Sequence, residues 1–186
     1  MTEEQKYRVV STYPDFEVRL YEACVLADVV IDASFESAGN SAFGSLFGYI
    51  SGGNKPNEKI AMTSPVLQEP IRKIAMTSPV LQESSNGSNI VSFVMPAGAT
   101  LDSMPIPTSS RVTLRSIPEG LVAVSRFSGR WTETSFQKQL AKLEEHVDAN
   151  GYLQVGNPRF ARFDPPWTPW FMRRNEIQIP IEKATQ

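Results

Sequence analysis

The sequence predicts an α+β fold with a mainly antiparallel sheet, and three observations lead to it. Strands arrive in runs while the helical patterns are few and set apart, which separates this class from alternating α/β folds. The order strand, helix, strands occurs twice, so the chain reads as two halves of one pattern without obvious sequence identity between them. The length, 186 residues, suits one well-buried domain spanning residues 1–186 and is short for two.

In Asp15–Tyr21, Phe16, Val18 and Leu20 alternate with Glu17 and Arg19, the period-two pattern of a half-buried strand with its charges outward. Val25–Ile31 is β-branched and reads as a continuation of that strand or its neighbour. Ser34 then caps a helix whose apolar positions, Phe35, Ala38, Ala42, Phe43, Leu46, Tyr49 and Ile50, recur at helical spacing. Phe47 widens this arc, as in a helix that packs on a sheet and still shows apolar surface. Gly44 and Gly48, on the opposite face, lower helix propensity and leave room for another backbone. Gly52 and Gly53 end the helix.

Ile90–Met95, Arg111–Arg115 and Leu121–Phe127 are further strands, the first two separated by a proline-punctuated loop. A second helix, capped by Thr132 or Thr134, carries the stripe Phe136, Leu140, Leu143 and Val147 and ends at Asn150-Gly151. Strand and turn follow to Phe163, then a proline-rich loop over 164–170 and a last strand, Asn175–Ile181.

Composition narrows the function. An apolar content of 41% and a charged content of 20% describe an ordinary globular protein. A formal net charge of −2 and scattered Lys and Arg argue against a nucleic-acid partner. The lone Cys24 excludes an intramolecular disulfide and a CxxC site. The acidic, polar N-terminus lacks an apolar signal region, and no apolar run reaches the length of a membrane span. The expectation is a cytoplasmic protein.

One feature is unusual. Lys59-Ile-Ala-Met-Thr-Ser-Pro-Val-Leu-Gln-Glu69 recurs letter for letter at Lys73–Glu83, a tandem duplication with an even offset of fourteen residues. Either copy therefore fits one strand slot with the same side chains facing the core. The other copy loops out, forms an extra hairpin through Gln68–Lys73, or exchanges with a second chain to give a homodimer by domain swapping.

Four segments carry a family resemblance. Asp15-Phe-Glu-Val-Arg-Leu-Tyr21 resembles the opening strand of SOUL/heme-binding (HEBP-like) proteins. Gly44–Asn54 with Lys59-Ile-Ala-Met-Thr-Ser-Pro-Val66 is similar to their helix end, glycine turn and MTxPV strand, and Phe127-Ser-Gly to the strand end before their second helix. Phe163-Asp-Pro-Pro-Trp-Thr-Pro-Trp-Phe-Met-Arg-Arg-Asn-Glu-Ile177 resembles their closing motif.

The resemblance implies a distorted antiparallel β-barrel of two pseudo-symmetric halves flanked by two α-helices. It also implies non-enzymatic binding of heme or another tetrapyrrole in an apolar groove beside the first helix. By position the ligand-binding residues are then Asn40, Phe43, Leu46 and Phe47 of that helix, with Trp170, Phe171, Met172 and Arg173 of the closing loop. Some relatives ligate iron through a histidine near the first helix, but residues 1–145 contain none. His146, beside the second helix's stripe, is a weak axial candidate, and Met62, Met76 and Met172 are soft donors better suited to filling gaps. The expected cofactor is accordingly heme or porphyrin at low affinity.

No catalytic or metal-binding spacing competes: Ser45 is misplaced for a GxSxG elbow, and neither GxGxxG nor a P-loop occurs. Two other readings stand beside the carrier. One is a scaffold or interaction domain of the same fold without useful heme affinity, an engineered strand-duplication variant prone to domain swapping. The other is a small-molecule sensor or hydrolase, from the likeness of two-half barrels to GyrI-like effector-binding domains. The duplication is tested by size-exclusion chromatography of the chain beside a version lacking residues 70–83. Exchange predicts a dimer that the deletion converts to monomer, whereas two identical monomeric profiles contradict it.

Overall fold

Alternating apolar side chains commit most of the chain to strands, and the computed structural model describes residues 3–56, 59–70, 88–164 and 167–184. In chain order the first half comprises β1 (Glu3–Glu4), β2 (Tyr7–Thr12), β3 (Glu17–Tyr21), β4 (Cys24–Ile31), α1 (Phe35–Ile50), β5 (Asn54–Lys55), β6 (Thr63–Pro70) and β7 (Asn89–Val94). The remainder comprises β8 (Ile106–Pro107), β9 (Val112–Ile117), β10 (Gly120–Phe127), α2 (Glu133–Ala149), β11 (Tyr152–Gln154), β12 (Arg159–Arg162) and β13 (Asn175–Lys183).

One 11-stranded sheet runs in the order β2, β3, β10, β13, β12, β6, β7, β4, β9, with β1 beside β6, β11 beside β13, and β5 paired to β8 in a separate ribbon. It is a curled, half-barrel sheet, antiparallel except for β1 on β6. The two halves are legible in this order: β9, β4, β7 and β6 on one side mirror β3, β10, β13 and β12 on the other. They meet where β12 pairs with β6, through Phe160↔Gln68, Ala161↔Leu67 and Arg162↔Val66. Pro65, which cannot donate to a ladder, sits at the register shift between Thr63 and Val66.

Both helices lie on one face. Val25, Ala27, Val29, Val91 and Phe93 meet Ala38, Ala42, Leu46 and Tyr49 of α1. Ala123, Ile177 and Ile179 meet the α2 stripe of Phe136, Leu140, Leu143 and Val147. Phe35, at the start of α1, packs with Phe136 and Phe160 in the second of these cores, with centroids 5.1 to 5.7 Å apart. Thr132 caps α2 by accepting the Ser135 N–H. Gly151 closes the same helix at φ 74°, where a β-carbon would be strained. Ser34 stands at the start of α1 but makes no side-chain cap bond.

Three expectations are corrected. Strands β3 and β4 neither run together nor pair: β3 lies between β2 and β10, and β4 between β7 and β9. The face of β3 carrying Arg19 is not solvated, because Arg19 is buried and its Nη1 lies 3.1 Å from Glu176 Oε2. A β-carbon on Gly44 or Gly48 would meet nothing within 4 Å among the described residues, so none of their elements packs closely there. The close approach is made instead at the Gly48 carbonyl, which accepts the Gly53 N–H at 2.8 Å. Finally, the edge strands β1, β2, β5 and β8 went unforeseen because they are short or exposed.

The first copy of the duplicated segment supplies β6, and Pro70 pairs with Asn89 of β7. The second copy, with the hairpin or chain exchange expected of it, lies outside the described residues. Among the described residues no helix is long and apolar enough to cross a membrane.

Candidate functional site

At the seam between the halves, on the helix-bearing face, lies a groove of about 510 Å3. Gly39, Asn40 and Phe43 of α1 form one wall; Met62, Ser64 and Val66 form the β6 side; Trp131, Arg162, Phe163, Asp164 and Trp167 complete it. Its walls are largely apolar and aromatic, and Phe47 extends them by stacking on Phe43 with centroids 5.5 Å apart.

The polar element within it is Arg162. Period two places its side chain on the same strand face as the fully buried Phe160, and Arg162 itself is 8% exposed. Its guanidinium lies against the rings of Trp131, Phe160 and Phe35 at 4.9, 5.2 and 5.8 Å from their centroids. Nη2 donates to Gln68 Oε1 at 2.6 Å. Among the described residues no carboxylate comes within ion-pair distance of it, and its Nε, buried, has no hydrogen-bond partner. Burial, helped by the neighbouring charge of Arg173 and opposed by Glu36, pushes its pKa down to about 10, so it remains a cation at neutral pH.

The surroundings are built to hold that guanidinium. A β-carbon on Gly39 would fall 2.5 Å from Nη1, so the helix carries glycine there at a cost of roughly 0.5–1 kcal/mol relative to Ala. Gln68 is fixed by donating from Nε2 to the Phe35 carbonyl and to Asn89 Oδ1. Glu36 is committed elsewhere, accepting the Glu133 N–H at the start of α2 at 2.9 Å. That bond, with one to its own backbone N–H, holds the Glu36 carboxyl below the usual glutamate range.

The closing motif positions Trp131. Asn175 Oδ1 accepts its indole N–H at 2.8 Å, and Asn175 Nδ2 donates to the Gly129 carbonyl. Arg173 lies over the Trp131 ring, 4.1 Å from its centroid, and donates from Nε to the Thr168 carbonyl. Arg174 and Arg19 both pair with the fully buried Glu176.

Of the residues expected to bind ligand, Asn40 and Phe43 border the groove and Phe47 lies just beyond Phe43. Leu46 does not: it is 0% exposed and packs into the α1 core, because it lies on the sheet side of the helix. Trp170, Phe171 and Met172 form an exposed 3-10 turn outside the groove wall, and Arg173 reaches the site through Trp131. The lining comes from the earlier part of the motif, Phe163, Asp164 and Trp167. His146 is on α2, stacked on Phe16 with Nε2 3.8 Å from Asp15 Oδ2, and does not border the groove.

Arg162, Trp131 and Gly39 were not anticipated. The signal for Arg162 was its two-residue offset from Phe160, which places a charge on a core face. On the opposite sheet face a second, open cleft of about 550 Å3 is lined by Tyr7, Arg19, Arg126 and Arg174 among others. Its buried Arg19 already has Glu176 as counter-charge.

A profile of the SOUL heme-binding protein family matches residues 2–180. The chain belongs to that family. No curated protein matches the sequence. Among solved structures, the C-terminal domain of EcmrR superposes with a TM-score of 0.64 at 16% identity, covering 96% of this chain and 99% of that one. An uncharacterized conserved protein from Listeria innocua gives 0.63 at 11% identity, covering 92% and 94%. A hydrolase encoded by lin2189 from Listeria innocua gives 0.61 at 10% identity, covering 93% and 94%. At these identities the likeness establishes the shared fold.

The division between core and groove predicts unequal mutational costs. Leu46→Ala should lower unfolding free energy by about 2–5 kcal/mol, whereas Phe43→Ala should cost about 1 kcal/mol or less. Urea denaturation of both variants checks this, and equal costs would contradict the assignment.

Proposed function

We propose that this SOUL-family chain is a non-enzymatic carrier that takes up a tetrapyrrole in the seam groove. The observation that carries the reading is the groove itself, whose size lies within the range of small-molecule sites and whose walls are aromatic planes and a thioether. A porphyrin offers large apolar faces with acidic side chains at one edge. Phe43, Val66, Phe163, Trp131 and Trp167 suit the faces, and Asn40 and the arginine-bearing end suit the polar edge.

The groove's donor chemistry favours the macrocycle over its metal. Met62 is the soft donor on the wall, and the sole histidine lies elsewhere. When bound, heme would supply iron redox chemistry, but retention here rests on apolar contact and not on an axial imidazole. The same chemistry disfavours a hydrolytic role for this groove: Ser64 lines it without a histidine, and the Asp164 carboxylate accepts the Arg174 N–H. A cytoplasmic carrier with its one cysteine reduced fits the reading; burial pushes the Cys24 thiol up, so little of it is thiolate.

Absorbance and fluorescence titrations with hemin and iron-free protoporphyrin test this. Both should bind saturably with affinities within about threefold, because axial ligation adds little. His146→Ala should leave hemin binding unchanged. A Soret shift lost in His146→Ala would overturn the ligand-poor mode, and absence of saturable binding by either porphyrin would overturn the carrier.

A further inference from the structure

We infer that Arg162 is an anion-binding residue, and that the seam groove selects amphipathic molecules carrying a carboxylate that its guanidinium receives. The inference deepens the groove reading and rests on it for the apolar part of the ligand.

An isolated charge removed from water is expensive, and buried cations are ordinarily paired. Arg19, the other buried arginine among the described residues, is paired, and so are the half-buried Arg115 and Arg159. Arg19 meets Glu176 at 3.1 Å. Arg115 meets Asp28 at 2.7 Å and Glu69 at 3.2 Å, and Arg159 meets Glu69 at 3.2 Å. Arg162 is buried as deeply, yet the described residues give it ring faces and one neutral amide.

Those contacts orient the guanidinium without neutralising it. Gln68 occupies one edge, the aromatic rings lie against it, and Gly39 clears the space where a side chain would displace Nη1. Nε, itself closed to solvent, has no partner among the described residues, and the guanidinium borders a groove wide enough for a ligand. The nearby Glu36 carboxylate could serve as counter-charge but is held at the N-terminus of α2. A preorganised guanidinium with spare N–H groups in a low-dielectric site matches a carboxylate, whose two oxygens accept in parallel. The apolar walls require the rest of that molecule to be hydrophobic.

Two measurements test this. In 15N-labelled wild-type protein, the Arg162 Nε–Hε resonance should shift saturably on addition of octanoate and stay fixed on addition of octanol. Separately, protoporphyrin should bind about tenfold or more tightly than its dimethyl ester, the size of a charge-assisted hydrogen bond. Arg162→Gln should erase that preference while retaining affinity for the ester, and Gly39→Ala should reduce it by crowding the guanidinium.

An Nε–Hε resonance unmoved by octanoate, or a free-acid preference that survives Arg162→Gln, would overturn the anion site. If both porphyrins bind the wild type equally, the carrier stands and the anion site falls. If neither binds but the resonance titrates with octanoate, the anion site stands and the tetrapyrrole falls.

Discussion

The structure converges on one electrostatic constraint: a guanidinium is held, with no carboxylate in ion-pair contact among the described residues, at the seam where two half-sheets join. Arg162 sits on β12 directly across from β6, so its placement depends on the pairing that unites the halves. Its neighbours follow from that demand. Gln68 must be an amide, because it accepts from Arg162 while donating to the end of the α1 entry turn. A β-carbon at Gly39 would displace Nη1. Trp131 must present its ring, and the Asn175 side chain fixes it there. Residues from both helical entries, both central strands and the closing motif thus converge on one side chain.

On the other face of the sheet the same chain sets arginines against carboxylates. Its arginines are matched by Asp28, Glu69 and Glu176, and Tyr21, buried beside Glu176, has its hydroxyl pKa pushed up to about 12 by desolvation and that charge. Removing one member of such a pair leaves an uncompensated buried charge, which costs about 3–5 kcal/mol. The contrast within one sheet is between arginines in ion-pair contact with carboxylates and Arg162, which among the described residues meets ring faces and the Gln68 amide.

Much of the fold was legible in the sequence because it rests on apolar periodicity. The α2 stripe of Phe136, Leu140, Leu143 and Val147 is the buried stripe, and the strands of residues 90–95 and 121–127 fall where alternation puts them. Periodicity failed where burial is polar. Arg19 alternates like a solvent-facing residue yet enters an ion pair, and Arg162 hides on a core face. Pairing partners were also illegible: β3 and β4 are adjacent in sequence but sit in opposite halves of the sheet, since registry is decided by long-range contacts. At the site, Asn40 and Phe43 were within reach of positional analogy, but Leu46 was separated from them by a turn of helix phase that only the packing on β4 and β7 resolves. The duplicated segment was the plainest feature of the sequence, and its first copy forms the seam strand β6.

Chemical-shift mapping with protoporphyrin on 15N-labelled protein addresses the central assignment most directly. Perturbations should cluster at Gly39, Asn40, Phe43, Val66, Phe163 and the Trp131 indole, all within the seam groove. Perturbations centred on Tyr7, Arg19 and Arg126 across the sheet, or confined to the exposed turn of Trp170–Met172, would contradict it.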